Sequence, residues 1–137
     1  ERDLMLVDLA LQEALMNSLE HGNMGITSDE KQSLAEEDVL EDELEKRTKE
    51  ARKQGKVIQV LASVDRDQFV CSIEDQGRGF DWKSKIANAS DPVTSLDPQG
   101  RGMFLVVHFF DDVSYNKKGT KVTLTKSLKK VSLKKAP

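Results

Sequence analysis

The sequence holds a single cysteine and only two histidines in 137 residues. Cys71 stands alone in a strand-like run, so no disulfide forms within the chain, which fits a reducing cytoplasm. His21 and His108 lie far apart, which gives no basis for a histidine-built metal cluster. No apolar run is long enough to span a bilayer, and the first residues lack the pattern of a signal peptide. A Walker loop is missing, because no Gly-Lys-Ser or Gly-Lys-Thr occurs. A Rossmann fingerprint is missing as well, because no third glycine follows Gly79 at the required spacing. Neither an internal repeat nor a low-complexity segment is present. The net charge of −3 offers no general reason to expect nucleic acid.

What remains is one domain with a real hydrophobic core, soluble by its balance of 37% hydrophobic and 33% charged residues. The charge is uneven. Residues 29–45 are strongly acidic, and a basic tail over 127–137 follows Lys126 with Lys129, Lys130, Lys134 and Lys135. A solvated helix face and a solubilising tail are the expected readings.

Leu4, Val7, Leu11, Ala14 and Leu15 recur at helical spacing over residues 3–21, so one face of that helix is expected to be buried, with Gly22 ending it. A charged helical insertion follows over 29–54, its helix running from 33 with Ser33 and Glu36 as a capping box. Val57–Val64 and Phe69–Glu74 read as strands of an antiparallel hairpin turned at Asp65-Arg66-Asp67. Residues 82–99 carry Asn88, Ser90, Asp91, Pro92, Ser95, Asp97 and Pro98, the chemistry of a long functional loop. Met103–Phe110 reads as an apolar helix opening at Gly102, in which His108 is expected to be packed. A last hairpin pairs Val113–Asn116 with Lys121–Lys126 through Lys117-Lys118-Gly119.

Three short motifs carry chemistry. Glu13 and Asn17 are four residues apart and share a helix face, placing a carboxylate beside an amide oxygen; His21 and Gly22 close the same motif. Asp75 ends an apolar strand and is followed by Gly77 and Gly79, which let backbone approach a ligand, and by Phe80. A carboxylate there can accept from an adenine amino group, although Asp-x-Gly is also an ordinary turn. Gly100-Arg101-Gly102-Met103 stands where a loop is expected to meet a helix. Free N–H groups and the helix dipole favour phosphate there, and Arg101 can add a charge-assisted contact.

These motifs, in this order and with Gly119-Thr120 after them, resemble the Bergerat-fold ATPase module shared by gyrase, histidine kinases and mismatch-repair ATPases. The strongest likeness is to the anti-sigma-factor serine/threonine kinases. The resemblance implies a two-layer α/β sandwich, with a mixed, mostly antiparallel sheet, helices on one face, and ATP held between helix and lid. Residues 1–137 would form one such domain, with 82–99 as the ATP lid. It also implies roles: Asn17 holds magnesium, Glu13 is general base on the attacking hydroxyl, and Asp75 recognises adenine. Thr120 assists through a second hydrogen bond or a water, while His21 lines the pocket edge and Gly100 to Met103 meet the phosphates. The implied partners are a small antagonist protein carrying the acceptor Ser or Thr and, in bacterial signal transduction, a sigma factor.

The chain departs from the family pattern in three respects. Family members usually carry a strand and a helix ahead of the Glu13 helix, so the N-terminal part of the fold is expected to be missing. An uncovered face would favour self-association, a homodimer being the simplest product. The 29–54 insertion is longer than compact members need, and Arg78 stands where proline is common. Two other functions stay open: an ATP-dependent sequestering module without phosphotransfer, and the catalytic domain of a larger sensor or histidine kinase. The last lacks a visible dimerisation helix with a phosphoacceptor histidine.

Overall fold

The computed structural model describes residues 2–96 and 98–129. Its sheet is built from two hairpins. The first pairs β1 (Gln59–Val64) with β2 (Gln68–Glu74) in the register Gln59↔Glu74 through Val64↔Phe69. Asp65 closes the turn between them, its Oδ1 accepting the N–H groups of Asp67 at 2.7 Å and Gln68 at 2.9 Å. Those two donors hold its carboxyl below the usual carboxylate range. The second hairpin pairs β3 (Asp112–Tyr115) with β4 (Lys121–Ser127). The strand order is β1-β2-β4-β3.

All three pairings are antiparallel, in line with the mostly antiparallel sheet expected. The reason is the path of the chain. It leaves β2, crosses to lay β3 at the far edge, and turns back so that β4 runs against both neighbours.

Alternation along the inner strands places Cys71 and Ile73 of β2 beside Leu124 and Val122 of β4, all on one face and all buried. Burial also raises the Cys71 thiol pKa, keeping it an inert core group. Two helices cover this face, α1 (Arg2–Asn17) and α5, which spans Pro98–Phe109. Ala10 and Ala14 are the buried residues of α1, small enough to bring its backbone close; Val106 of α5 and Phe110 just past its end share that core. Val7, Leu11 and Leu15 pack around this core as expected, but Leu4 is 72% exposed, because the stripe packed on the sheet starts only at Val7.

The charged insertion is two helices rather than one. These are α2 (Ser28–Glu36) and α3 (Leu40–Lys53), separated at Asp38, whose φ of 59° no helix accommodates. The operative cap is Thr27, whose side chain accepts the N–H of Glu30 at 3.1 Å. Ser33 and Glu36, the expected capping box, lie inside α2. Arg47 of α3 ties the pair together through Glu30 of α2, and Glu43 on its own helix steadies it.

Residues 82–99 are not a loop. They contain α4 (Trp82–Ala89), capped by Asp81, a 3-10 turn over Pro92–Leu96, and the start of α5; Asp97 lies outside the described residues. Trp82, Ile86 and Ala89 fall at i, i+4 and i+7, a short apolar face that outweighs the turn-forming residues around it. Ala89 is fully buried.

The basic tail divides at the limit of description. Ser127 belongs to β4, Lys126 pairs with Asp111 and Lys129 with Asp67, while residues 130–137 lie outside the described residues. No helix among the described residues is long and apolar enough to cross a membrane.

Candidate functional site

Beyond the paired strands the β2/β4 register continues to Asp75 and Thr120, and the Asp75 N–H donates to the Thr120 carbonyl at 2.9 Å. Counting in twos from Ile73 and Val122 puts both side chains on the helix-covered face. The end of the α1 segment meets them there. A β-carbon on Gly22 would lie 2.4 Å from Asp75 Cγ, and one on Gly77 would lie 2.5 Å from the Gly22 carbonyl oxygen. Three residues from two motifs therefore interlock at a distance that only glycine permits. The Gly77 N–H donates to Asp75 Oδ1 at 2.8 Å, which leaves Oδ2 as an acceptor. Burial, helped by the charge of Glu74 and opposed by that Gly77 bond, raises the Asp75 carboxyl above its ordinary value.

The turn from β3 to β4 is locked onto the same segment. Gly79 and Gly119 each hold φ of +81°; a β-carbon on Gly79 would collide with the Lys118 carbonyl, and the Phe80 N–H donates to that same oxygen at 3.0 Å. Asn116 braces the turn. Its Oδ1 accepts from the N–H groups of Gly119 and Thr120 at 2.9 Å each and of Lys121 at 3.2 Å, and its Nδ2 donates to Thr120 Oγ1 at 2.8 Å.

An aromatic group stands behind this corner. Tyr115 receives Phe80 edge-on, with ring centroids 5.2 Å apart, and Trp82 in a stack at 5.9 Å. Trp82 Nε1 donates to the Lys117 carbonyl at 3.3 Å, and the Tyr115 hydroxyl donates to Met103 Sδ at 3.9 Å. Burial and the negative charge of Asp75 push the Tyr115 phenol up, so it stays a neutral donor.

Gly22 does not end its helix. Beyond Asn17 the chain continues as a π-helical turn over Ser18–Asn23, and Gly25, not Gly22, takes the left-handed backbone at φ 66°. Such wide turns occur where a helix must re-aim a side chain. Here Asn23 is turned inward and its Oδ1 accepts the Gln76 N–H at 2.7 Å, a second tie to the Asp75 strand. Glu20 is buried and pairs with Lys31 at 2.5 Å. His21 Nδ1 donates to the Ile26 carbonyl, so this histidine fastens the segment that follows the turn.

Gly100, Arg101 and Gly102 lie inside α5 and not at a loop-to-helix junction, because the helix opens at Pro98, where a missing N–H costs nothing. Gly102 faces α1: a β-carbon there would sit 2.5 Å from Glu13 Oε2. Asn17 lies one turn along the same α1 face, half-buried, and Arg101 is exposed on the opening turn of α5. His108 is exposed too, stacked on Phe104 at 4.6 Å rather than packed inside.

The structure thus joins Gly22, Asp75, Gly77 and Thr120 at the sheet end, and Glu13 with Gly102 between the helices. It connects Met103 to the sheet end through Tyr115. Sequence reasoning missed Asn23, Asn116, Tyr115 and Trp82. The Asn116-to-Thr120 spacing inside a turn was a visible signal for one of them; the rest depend on contacts across the fold. Among the described residues no group of three or more His, Cys, Asp or Glu could hold a metal by itself.

No curated protein and no solved structure matches the chain. The model of the histidine kinase-like ATPase domain family matches residues 1–126, and membership of that family implies ATP as the ligand. That match spans more than nine-tenths of the sequence, and the chain belongs to the histidine kinase-like ATPase domain family.

Proposed function

We propose that this domain is an ATP-dependent serine/threonine protein kinase of the anti-sigma-factor type. Its substrate is a Ser or Thr on a small antagonist protein in bacterial partner switching. The observation that supports this reading best is the Glu13 carboxylate held against Gly102 of the Gly-Arg-Gly segment. A base placed there stands between the helix that carries Asn17 and the segment assigned to the terminal phosphates. Adenine sits against Asp75 and Thr120, and the phosphates run toward Gly100 and Gly102 with Arg101 beside them. Glu13 takes the proton from the attacking hydroxyl as its oxygen bonds to the terminal phosphorus and the bond to ADP breaks. Magnesium fits the donor set: the amide oxygen of Asn17 is a hard ligand, and magnesium on a nucleotide keeps water and phosphate oxygens for its other positions.

The second reading, a nucleotide-dependent sequestering module, draws on α2 and α3. Neither helix buries a residue, so both offer charged surface to a partner.

Labelled ATP incubated with candidate antagonist proteins of the same genome separates the two. Transfer is expected with the wild type. Glu13→Ala is expected to keep ATP affinity while transfer falls by about 10²–10⁴-fold, the usual worth of a positioned base. Asn17→Ala should instead weaken binding of the metal–nucleotide complex. Transfer at an undiminished rate in Glu13→Ala defeats the assigned mechanism; no transfer in the wild type, with partner binding still dependent on ATP, favours the sequestering module.

A further inference from the structure

Asn116 stands outside every motif that points to nucleotide, yet it is the best connected side chain at the adenine end. Its amide can face only one way. The oxygen accepts three backbone N–H groups, from Gly119, Thr120 and Lys121, and a flipped amide would set its NH₂ against all three. The orientation of the NH₂ follows, and it donates to Thr120 Oγ1 at 2.8 Å. A threonine hydroxyl is ordinarily indifferent, giving or accepting as its neighbour demands. Here one of its two lone pairs is filled from Asn116, so the hydroxyl hydrogen is not spent there and stays free to donate elsewhere.

Thr120 lies opposite Asp75 across the ladder, on the same face of the sheet. Asp75 Oδ1 is engaged by the Gly77 N–H, which leaves Oδ2 to act as an acceptor. Side by side, the two residues offer an acceptor and a donor. The adenine edge presents the complement, an amino donor at N6 and an acceptor at N1. Guanine and hypoxanthine present the reverse, a carbonyl acceptor at position 6 and an N1–H donor. A water between Thr120 and the base would pass the same polarity on.

We propose that Asn116 is a positioning residue for purine selection, which keeps the Thr120 O–H unspent and available as a donor and so lets the Asp75–Thr120 pair read adenine against 6-oxopurines. The proposal rests on the reading of this corner as the adenine site. It gives Asn116 a role beyond bracing a turn, because bracing requires only its oxygen.

Asn116→Asp separates the two roles. The carboxylate keeps an oxygen for the three N–H groups, but its second oxygen now accepts from Thr120 and turns the hydroxyl lone pair toward the base. Calorimetry with ADP and IDP should show the ADP-to-IDP affinity ratio falling about tenfold, the worth of one hydrogen bond reversed. The added negative charge opposes both nucleotides alike and cancels in the ratio. In a Thr120→Val background the same change should leave the ratio where it is, since no hydroxyl remains to orient. An unchanged ratio in folded Asn116→Asp, or an equal fall with and without Thr120, overturns the proposal. A test on the wild type needs no variant to fold: 1-deaza-ADP, which lacks the N1 acceptor, should bind about tenfold more weakly than ADP. Equal binding of the two overturns the proposal while leaving the adenine site in place. Failure of the wild type to bind ADP at all removes the adenine site itself, and the proposal with it.

Discussion

Glu13 and Gly102 touch across the two helices that cover the sheet: a β-carbon on Gly102 would stand 2.5 Å from Glu13 Oε2 and 3.3 Å from its Cδ. The atom met is the far end of a flexible side chain, so the carboxylate can swing aside at small cost. Gly102→Ala is therefore expected to fold. Alanine also favours the interior of α5 by about 1 kcal/mol over glycine, so thermal stability should hold or rise. Activity should not, because the displaced Glu13 no longer holds its position. A fall in phosphate transfer of about tenfold or more, with ADP affinity near wild type, is expected from a misplaced base. Paired melting and transfer assays test this; unchanged transfer would refute the placement of Glu13.

Asp75 combines the adenine contact proposed for it with a burial cost. In Asp75→Asn the amide oxygen can keep the Gly77 N–H, but an NH₂ replaces the acceptor proposed to take the adenine amino group. A hydrogen bond to a charged group contributes about 1.5–3 kcal/mol, so ADP affinity should drop by roughly 10–100-fold. The unliganded fold should respond oppositely. Burial raises the Asp75 carboxyl, which means the ionised form is penalised in the folded state. That penalty is full above the raised value, shrinks as pH falls toward the ordinary carboxylate value, and vanishes below it. The variant should thus melt higher than wild type at neutral pH, and the gap should close in acid. Melting curves from neutral to strongly acidic pH check the sign.

Trp82 is the sole tryptophan, and it stacks on Tyr115 at the hinge between the Asp75 strand and α4. Nucleotide binding is expected to change its emission, since the base would lodge beside Tyr115 and Phe80. The connection between α4 and α5 should become protected in the same titration. Leu96 is 78% exposed there and Val93 68%, so proteases that cut after large apolar residues have a ready site. Equal cleavage with and without a magnesium–ATP analogue would count against a closing segment.

Much of this architecture was legible in the sequence, and the exceptions have identifiable causes. The two hairpins follow from period-two runs such as Phe69–Glu74, and the site helix from the three-to-four spacing of Val7, Leu11, Ala14 and Leu15. Asp75 and Thr120 were found separately, as an acid after a strand and a threonine after a glycine. That they are partners across the ladder is a fact of sheet register, which no local pattern carries. The α4 helix was hidden because Asn88, Ser90, Asp91 and Pro92 announce a turn more loudly than Trp82, Ile86 and Ala89 announce a face. The start of α2 was misplaced because two Ser/Thr-x-x-Glu patterns compete, and Thr27 with Glu30 is the pair that caps. Gly22 had a reading as a helix stop; its task is to admit the Asp75 carboxyl, a demand set by a residue 53 positions away.

The π-helical turn over Ser18–Asn23 has a consequence for how such a site can change. Glu13 and Asn17 keep the phase of an ordinary helix, whereas Gly22 and Asn23 keep the phase of the wider turn that follows. Removing one residue from that turn would restore regular bonding and swing everything after it by about 100°. Gly22 would leave Asp75 and Asn23 would leave Gln76, although every motif residue still stood in the chain. The Glu13–Asn17 end and the Gly22–Asn23 end thus work as two cams on one shaft, keyed at a fixed angle. Point substitution can wear either cam, but only an insertion or deletion can turn the key.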